Sequence, residues 1–120
     1  MDNQLGYRKL NVFQKADELV IGIYLTTKNF PKDELFGLIS QMRRCAVSVP
    51  ANIVEGYGKK TKKEQLQFCY NARGSLSELE YYIDLSFKLE YVDQRQYVQL
   101  KNSRDAVGRL LNGFINSLSK

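Results

Sequence analysis

The sequence predicts an all-α protein, an antiparallel up-down-up-down four-helix bundle, on three observations. Apolar residues recur at helical spacing in four long segments. Three pairs read as capping boxes, Asn11 with Gln14, Thr61 with Glu64 and Asp93 with Gln96, each ahead of an apolar stripe. Only two prolines occur, Pro31 and Pro50, and no run alternates like a strand.

The first helix is predicted over roughly 11–28, with Val12, Ala16, Leu19, Val20, Ile23 and Tyr24 on one face. The residues before Asn11, Gly6 among them, form a short arm that packs or frays. The link NFPK leads into a second helix over roughly 32–57, where Asp33 and Glu34 suit the positive helix end. Its stripe is Leu35, Leu38, Ile39, Met42, Ala46, Val49 and Ile53. GKK separates it from a third helix over roughly 61–89, lined by Phe68, Ala72, Leu76, Leu79, Ile83 and Phe87. YVD leads to the fourth, roughly 93–118, with Leu100, Val107, Leu110, Leu111, Phe114 and Leu118. Links this short make successive helices antiparallel neighbours.

With 120 residues the chain forms one domain, 1–120, large enough for a single core. Hydrophobic residues make up 43% and charged residues 26%, an ordinary globular balance. No apolar run approaches the ~20 residues of a membrane span. The N-terminal MDNQLGYRKL lacks the apolar core of a secretory signal. A cytoplasmic protein with no membrane contact is expected. Histidine is absent, which removes the commonest general base and metal ligand. Cys45 and Cys69 lack metal-site spacing and fit buried, reduced thiols. No catalytic residue, metal or cofactor is expected, and the protein is read as non-enzymatic.

The segment RRCAVSVPANIVEGYGKK, residues 43–60, is unusual for a helix. On a wheel at about 100° per residue, Leu38, Met42, Ala46, Val49 and Ile53 make a core strip. Arg44, Ser48, Asn52 and Glu55 make a polar seam, and Phe36, Val47 and Val54 a second apolar strip with Pro50 adjoining. A helix buried on one side needs only one apolar face, so the second strip points to a partner and to oligomerisation. Pro50 removes the usual partner of the Ala46 carbonyl, and a kink or local opening is expected. Arg73, Ser77, Glu80 and Asp84 form a matching strip on the third helix, which suggests pairs of Arg44 with Glu80 or Glu55 with Arg73.

Net charge is +5, from 18 basic and 13 acidic residues. The candidate nucleic-acid-binding residues are Arg43 and Arg44 on the second helix, and Lys59, Lys60, Lys62 and Lys63 in KKTKK. Lys101, Arg104 and Arg109 decorate the fourth helix. Such side chains neutralise phosphates without reading bases, so binding to RNA or DNA would be insensitive to sequence. No helix-turn-helix spacing, zinc finger or RNP-like motif accompanies them.

LNVFQKADELV and FPKDELFGLISQMRRCAVSVPANIVEGYGKKTKKEQLQFCYNARGSLSELEYYI together resemble the bacterial four-helix-bundle family encoded within 23S ribosomal RNA intervening sequences. The likeness runs from about residue 10 to 118. It is carried by Gln41, Arg43, Arg44, Ser48, Pro50, Asn52, Glu55, Gly56, Arg73, Gly74, Ser75 and Glu78. Cys45 and Val54 stand where that family usually has small residues such as alanine. The resemblance implies a homopentamer of antiparallel bundles. It also implies kinship with the accessory variability proteins of diversity-generating retroelements, which associate with a reverse transcriptase and nucleic acid. It implies no enzymatic activity. Two functions follow: a homo-oligomer binding RNA or DNA through repeated basic patches, or a protein-interaction scaffold, for a polymerase for example, with no nucleic-acid contact.

Overall fold

In the computed structural model, which describes residues 6–120, the four stripes become four long helices. They are α1 (Asn11–Thr27), α2 (Leu38–Tyr57), α3 (Lys62–Lys88) and α4 (Gln94–Ser119), with short 3-10 turns at Tyr7–Lys9 and Lys32–Glu34. Residues 1–5 of the expected arm lie outside the described residues; its remainder is the first turn, where the Tyr7 ring meets Phe13 edge-on at 4.9 Å. No strand occurs among the described residues. Each helix packs on two others in the cycle α1–α2–α3–α4–α1, and the backbones of the diagonal pairs stay more than 8 Å apart. The α1–α2 edge is therefore opposite the α3–α4 edge.

The helix starts differ in how they are held. Asp93 caps α4 in full: its carboxylate accepts from the Gln96 N–H at 2.8 Å, and the Gln96 side chain accepts from the Asp93 N–H at 2.9 Å. Thr61 caps α3 in part, accepting from the Glu64 N–H at 3.1 Å, while its hydroxyl donates to the Glu64 carboxylate. The predicted box at Asn11 does not form. Leu10 holds the extended cap position, Asn11 is already helical, and Gln14 Nε2 donates to the Arg8 carbonyl at 2.9 Å.

The second helix begins six residues later than predicted. Gly37, at φ −116° and ψ −112°, turns the chain between the Lys32–Glu34 turn and α2. A Cβ there would lie 2.8 Å from a Glu34 carboxylate oxygen. That carboxylate accepts from the Leu38 N–H at 3.2 Å and from the Tyr91 hydroxyl at 2.8 Å, tying the α1–α2 link to the α3–α4 link. Leu35 thereby leaves the core stripe and is 50% exposed, and Phe36 beside it is 93% exposed. Tyr24 and Phe87, also assigned to core stripes, lie at the surface, Phe87 stacked on Tyr97 at 4.4 Å.

The other stripes meet in one core that includes Leu19, Ile23, Met42, Val49, Leu76, Leu79, Ile83, Val107 and Leu111, all essentially fully buried. α2 continues through Pro50 to Tyr57. Its polar seam contacts α3: the Ser48 and Ser75 hydroxyls lie 2.8 Å apart, and Asn52 Nδ2 donates to the Ser48 carbonyl at 2.7 Å. One turn on, α2 and α3 nearly touch. A Cβ at Gly56 would stand 2.9 Å from Phe68 Cβ and 3.3 Å from the Gln65 carbonyl. Gly56→Ala is expected to destabilise by about 1–2 kcal/mol, since steric strain outweighs the gain in helix propensity. Gly74 on α3 has nothing within 4 Å of such a Cβ. Gly74→Ala should stabilise by about 0.5–1 kcal/mol. Urea midpoints of the two variants should move in opposite directions.

Candidate nucleic-acid interface

The six predicted contact residues do not form one patch. Arg44 stands thirteen helical positions before Tyr57, the last residue of α2, about 20 Å at 1.5 Å per residue, and Lys59 lies beyond that end. Arg43 is a structural clamp. Its Nε donates to the buried Thr27 hydroxyl at 2.9 Å, its Nη2 to the Tyr24 carbonyl at 3.4 Å, and its guanidinium lies 4.5 Å over the Tyr24 ring. The Thr27 hydroxyl in turn donates to the Ile23 carbonyl at 2.8 Å, so Arg43 completes the end of α1. Arg44 is exposed and makes no hydrogen bond or ion pair with a described residue.

The lysine group at the α2–α3 turn is also divided. Lys59 Nζ sits 5.4 Å over the Phe68 ring, and Lys62 Nζ donates to the Lys120 carbonyl at 3.2 Å, joining the start of α3 to the end of α4. Lys60 and Lys63 are exposed and uncommitted. Of the six residues, Arg44, Lys60 and Lys63 are thus free to meet an anion.

The predicted pairs between α2 and α3 do not form, because the charged strip of α3 faces α4. Lys101 Nζ bonds Glu80 at 2.9 Å and Asp84 at 3.1 Å, and the Tyr97 hydroxyl donates to Asp84 at 2.7 Å. Partial burial alone would raise the Asp84 pKa, but the Tyr97 and Lys101 hydrogen bonds hold it below its ordinary value. Burial alone would lower that of Lys101, and its two carboxylates outweigh this and raise it. The signs set a window. The stabilisation from Asp84 is present above its unfolded pKa of about 3.9 and fades as pH falls through the depressed folded value; that from Lys101 fades only as pH rises past about 10.4. Both carboxylates are more than a third exposed, so screening keeps the effect small. Lys101→Met is expected to cost about 1 kcal/mol at pH 7 and to make the loss of stability below about pH 4 shallower. Denaturant melts across pH check both.

Two further surfaces come from the packing rather than from any spacing along the chain. On the α1–α2 edge, a groove of about 680 Å³ is bordered by Tyr24, Leu35, Phe36, Ile39, Arg43 and Val47, with exposed Ile21 and Leu25 also on α1. On the opposite edge, a cleft of about 330 Å³ between α3 and α4 is lined by Arg73, Leu76, Arg104, Asp105, Gly108, Arg109 and Asn112. The arginine cleft escapes sequence reading because its residues come from two helices; Arg104 and Arg109 register there only as decoration. Both cysteines are buried, as expected, and unpaired. Burial pushes the Cys45 thiol up to about 12, with the Glu78 carboxylate adding to the shift, and burial raises Cys69 as well. Among the described residues no cluster of His, Cys, Asp or Glu is arranged to hold a metal, and no helix is long and apolar enough to cross a membrane.

These features define an antiparallel four-helix-bundle protein with an apolar edge, an arginine-lined edge and a lysine-rich end. It belongs to the 23S rRNA-intervening sequence protein family, whose model matches residues 8–113. Its fold is similar to that of a protein of unknown function from the S23 ribosomal protein family of Bacteroides thetaiotaomicron VPI-5482, known from a crystal structure. That likeness has a TM-score of 0.80 at 24% sequence identity and covers 88% of this chain and 95% of the other. No curated protein matches the chain.

Proposed function

We propose that the protein is a non-enzymatic homo-oligomer, a pentamer by its family resemblance, that binds RNA or DNA without sequence preference. The observation that carries the assembly is Phe36, 93% exposed beside Leu35, Val47 and Tyr24 on one edge. A cluster of this kind marks a contact surface. Net charge of +5 and the uncommitted Lys60 and Lys63 support the nucleic-acid reading; Arg44 lines the groove on the assembly edge. Assembly repeats each cation around a ring, and weak phosphate contacts then combine through multivalency.

The test is a salt series with a 23S ribosomal RNA fragment and a generic duplex of equal length. The two should bind alike, with log K falling by about 0.9 per phosphate neutralised on B-DNA for each tenfold rise in salt. Lys60→Glu/Lys63→Glu should weaken both equally. No binding at low salt would sink the nucleic-acid reading. The apolar groove would then favour the second one, a scaffold for a protein such as a reverse transcriptase, whose capture survives nuclease treatment.

A further inference from the structure

We infer that the α3–α4 cleft is a phosphate-binding site that grips a nucleic-acid backbone. The inference rests on the nucleic-acid reading above and assigns its contact residues. Three guanidinium groups, Arg73 from α3 and Arg104 and Arg109 from α4, line one cleft with a single carboxylate, Asp105. Beside it Lys101 is paired with Glu80 and Asp84, and Glu80 also lies 3.9 Å from Arg104 Nη1. With Glu80 counted, three cations face two acids.

Two of the arginines are already ordered. The Arg73 guanidinium lies 5.0 Å from the centre of the Tyr70 ring, and its Nη1 reaches Asn112 Oδ1 at 3.5 Å. The Arg104 side chain is only 16% exposed. Its Nε donates to the Leu76 carbonyl at 3.0 Å and its Nη1 to Asp105 at 3.0 Å, which leaves Nη2 uncommitted. Arg109 is exposed and makes no hydrogen bond or ion pair with a described residue. Planar guanidinium forks match phosphate oxygens in pairs, and an ordered fork loses less entropy on binding than a free lysine. Asn112 Oδ1 is turned to Arg73, so its amide N–H groups remain as donors. Gly108 in the lining presents bare backbone, where a Cβ would meet only Arg104 Nη1, at 3.9 Å. The cleft lies on the edge opposite the apolar groove.

The test uses the full chain in two arms. One measures fluorescence anisotropy of a labelled RNA duplex across salt; the other measures the thermal shift produced by inorganic phosphate at constant ionic strength. Arg73→Gln/Arg109→Gln is compared with Lys28→Gln/Lys32→Gln, which removes the same charge from the α1–α2 link. At 0.1 M salt each lost phosphate contact should weaken duplex binding about eightfold, taking the 0.9 exponent of counterion release. The arginine variant should therefore bind at least tenfold more weakly, flatten the salt slope and lose the phosphate shift. The lysine control should stay within about threefold of wild type. Equal weakening by both variants, or by neither, overturns the cleft while the nucleic-acid reading stands. A wild type that binds no duplex yet shows an arginine-dependent phosphate shift overturns the nucleic-acid reading and leaves the cleft as a site for free phosphate. Absence of both signals ends both.

Discussion

A chain carrying Phe36→Glu and Val47→Glu is expected to fold normally and to scatter light as a single protomer, and wild type is expected to scatter as an assembly. Phe36 is 93% exposed and Val47 40% exposed on the α1–α2 edge, so the fold of one copy depends little on them. Surface changes of this kind usually alter stability by no more than about 0.5 kcal/mol. At an interface the arithmetic differs. Full burial of a phenylalanine contributes about 1.5–3 kcal/mol, and an unpaired buried carboxylate costs several more. A loss of about 4 kcal/mol per contact weakens association roughly a thousandfold. Circular dichroism should be unchanged. A wild-type chain that is monomeric at micromolar concentration refutes the assembly, and a double variant that still assembles moves it to another face.

The second large effect separates two leucines that a helical wheel treats alike. Leu76→Ala should cost about 2–5 kcal/mol, because Leu76 is wholly buried in α3 and its removal leaves a cavity between close-packed helices. Leu35→Ala should cost about 1 kcal/mol of folding stability, since half of that side chain already meets water. If the α1–α2 edge is the assembly face, Leu35→Ala should instead reduce the assembled fraction on dilution. Urea melts and light scattering of the same two proteins give all four values. Equal losses of folding stability would place Leu35 in the core after all.

The long stripes were legible because burial in a bundle repeats every 3.6 residues, and most of the predicted inner residues are the ones that pack. Local geometry was less so. A wheel assumes an unbroken helix, so it could not see Gly37 turning the chain and ejecting Leu35. A capping pattern says nothing of competing partners, and Gln14 is taken by the Arg8 carbonyl. Arg43 looked like a surface cation. Its long stem reaches α1, and the signal for this was Tyr24 and Thr27 at the end of the preceding helix. Ser48 and Gly56 serve close contact with α3. The arginine cleft depends on which helices become neighbours and at what height, and only the assembled bundle supplies that.

The two sealed thiols give the molecule a built-in stopwatch. A thiol held protonated by burial reacts with an alkylating reagent only when its surroundings open, and the rate then measures the free energy of opening. Cys45 lies near the middle of α2, whereas Cys69 borders a half-enclosed hollow near the lysine-rich end, beside Gly56, Tyr57, Phe114 and Leu118. Label on Cys69 ahead of Cys45 would mean that the bundle unzips from that end. Equal rates would mean that it opens as one cooperative unit.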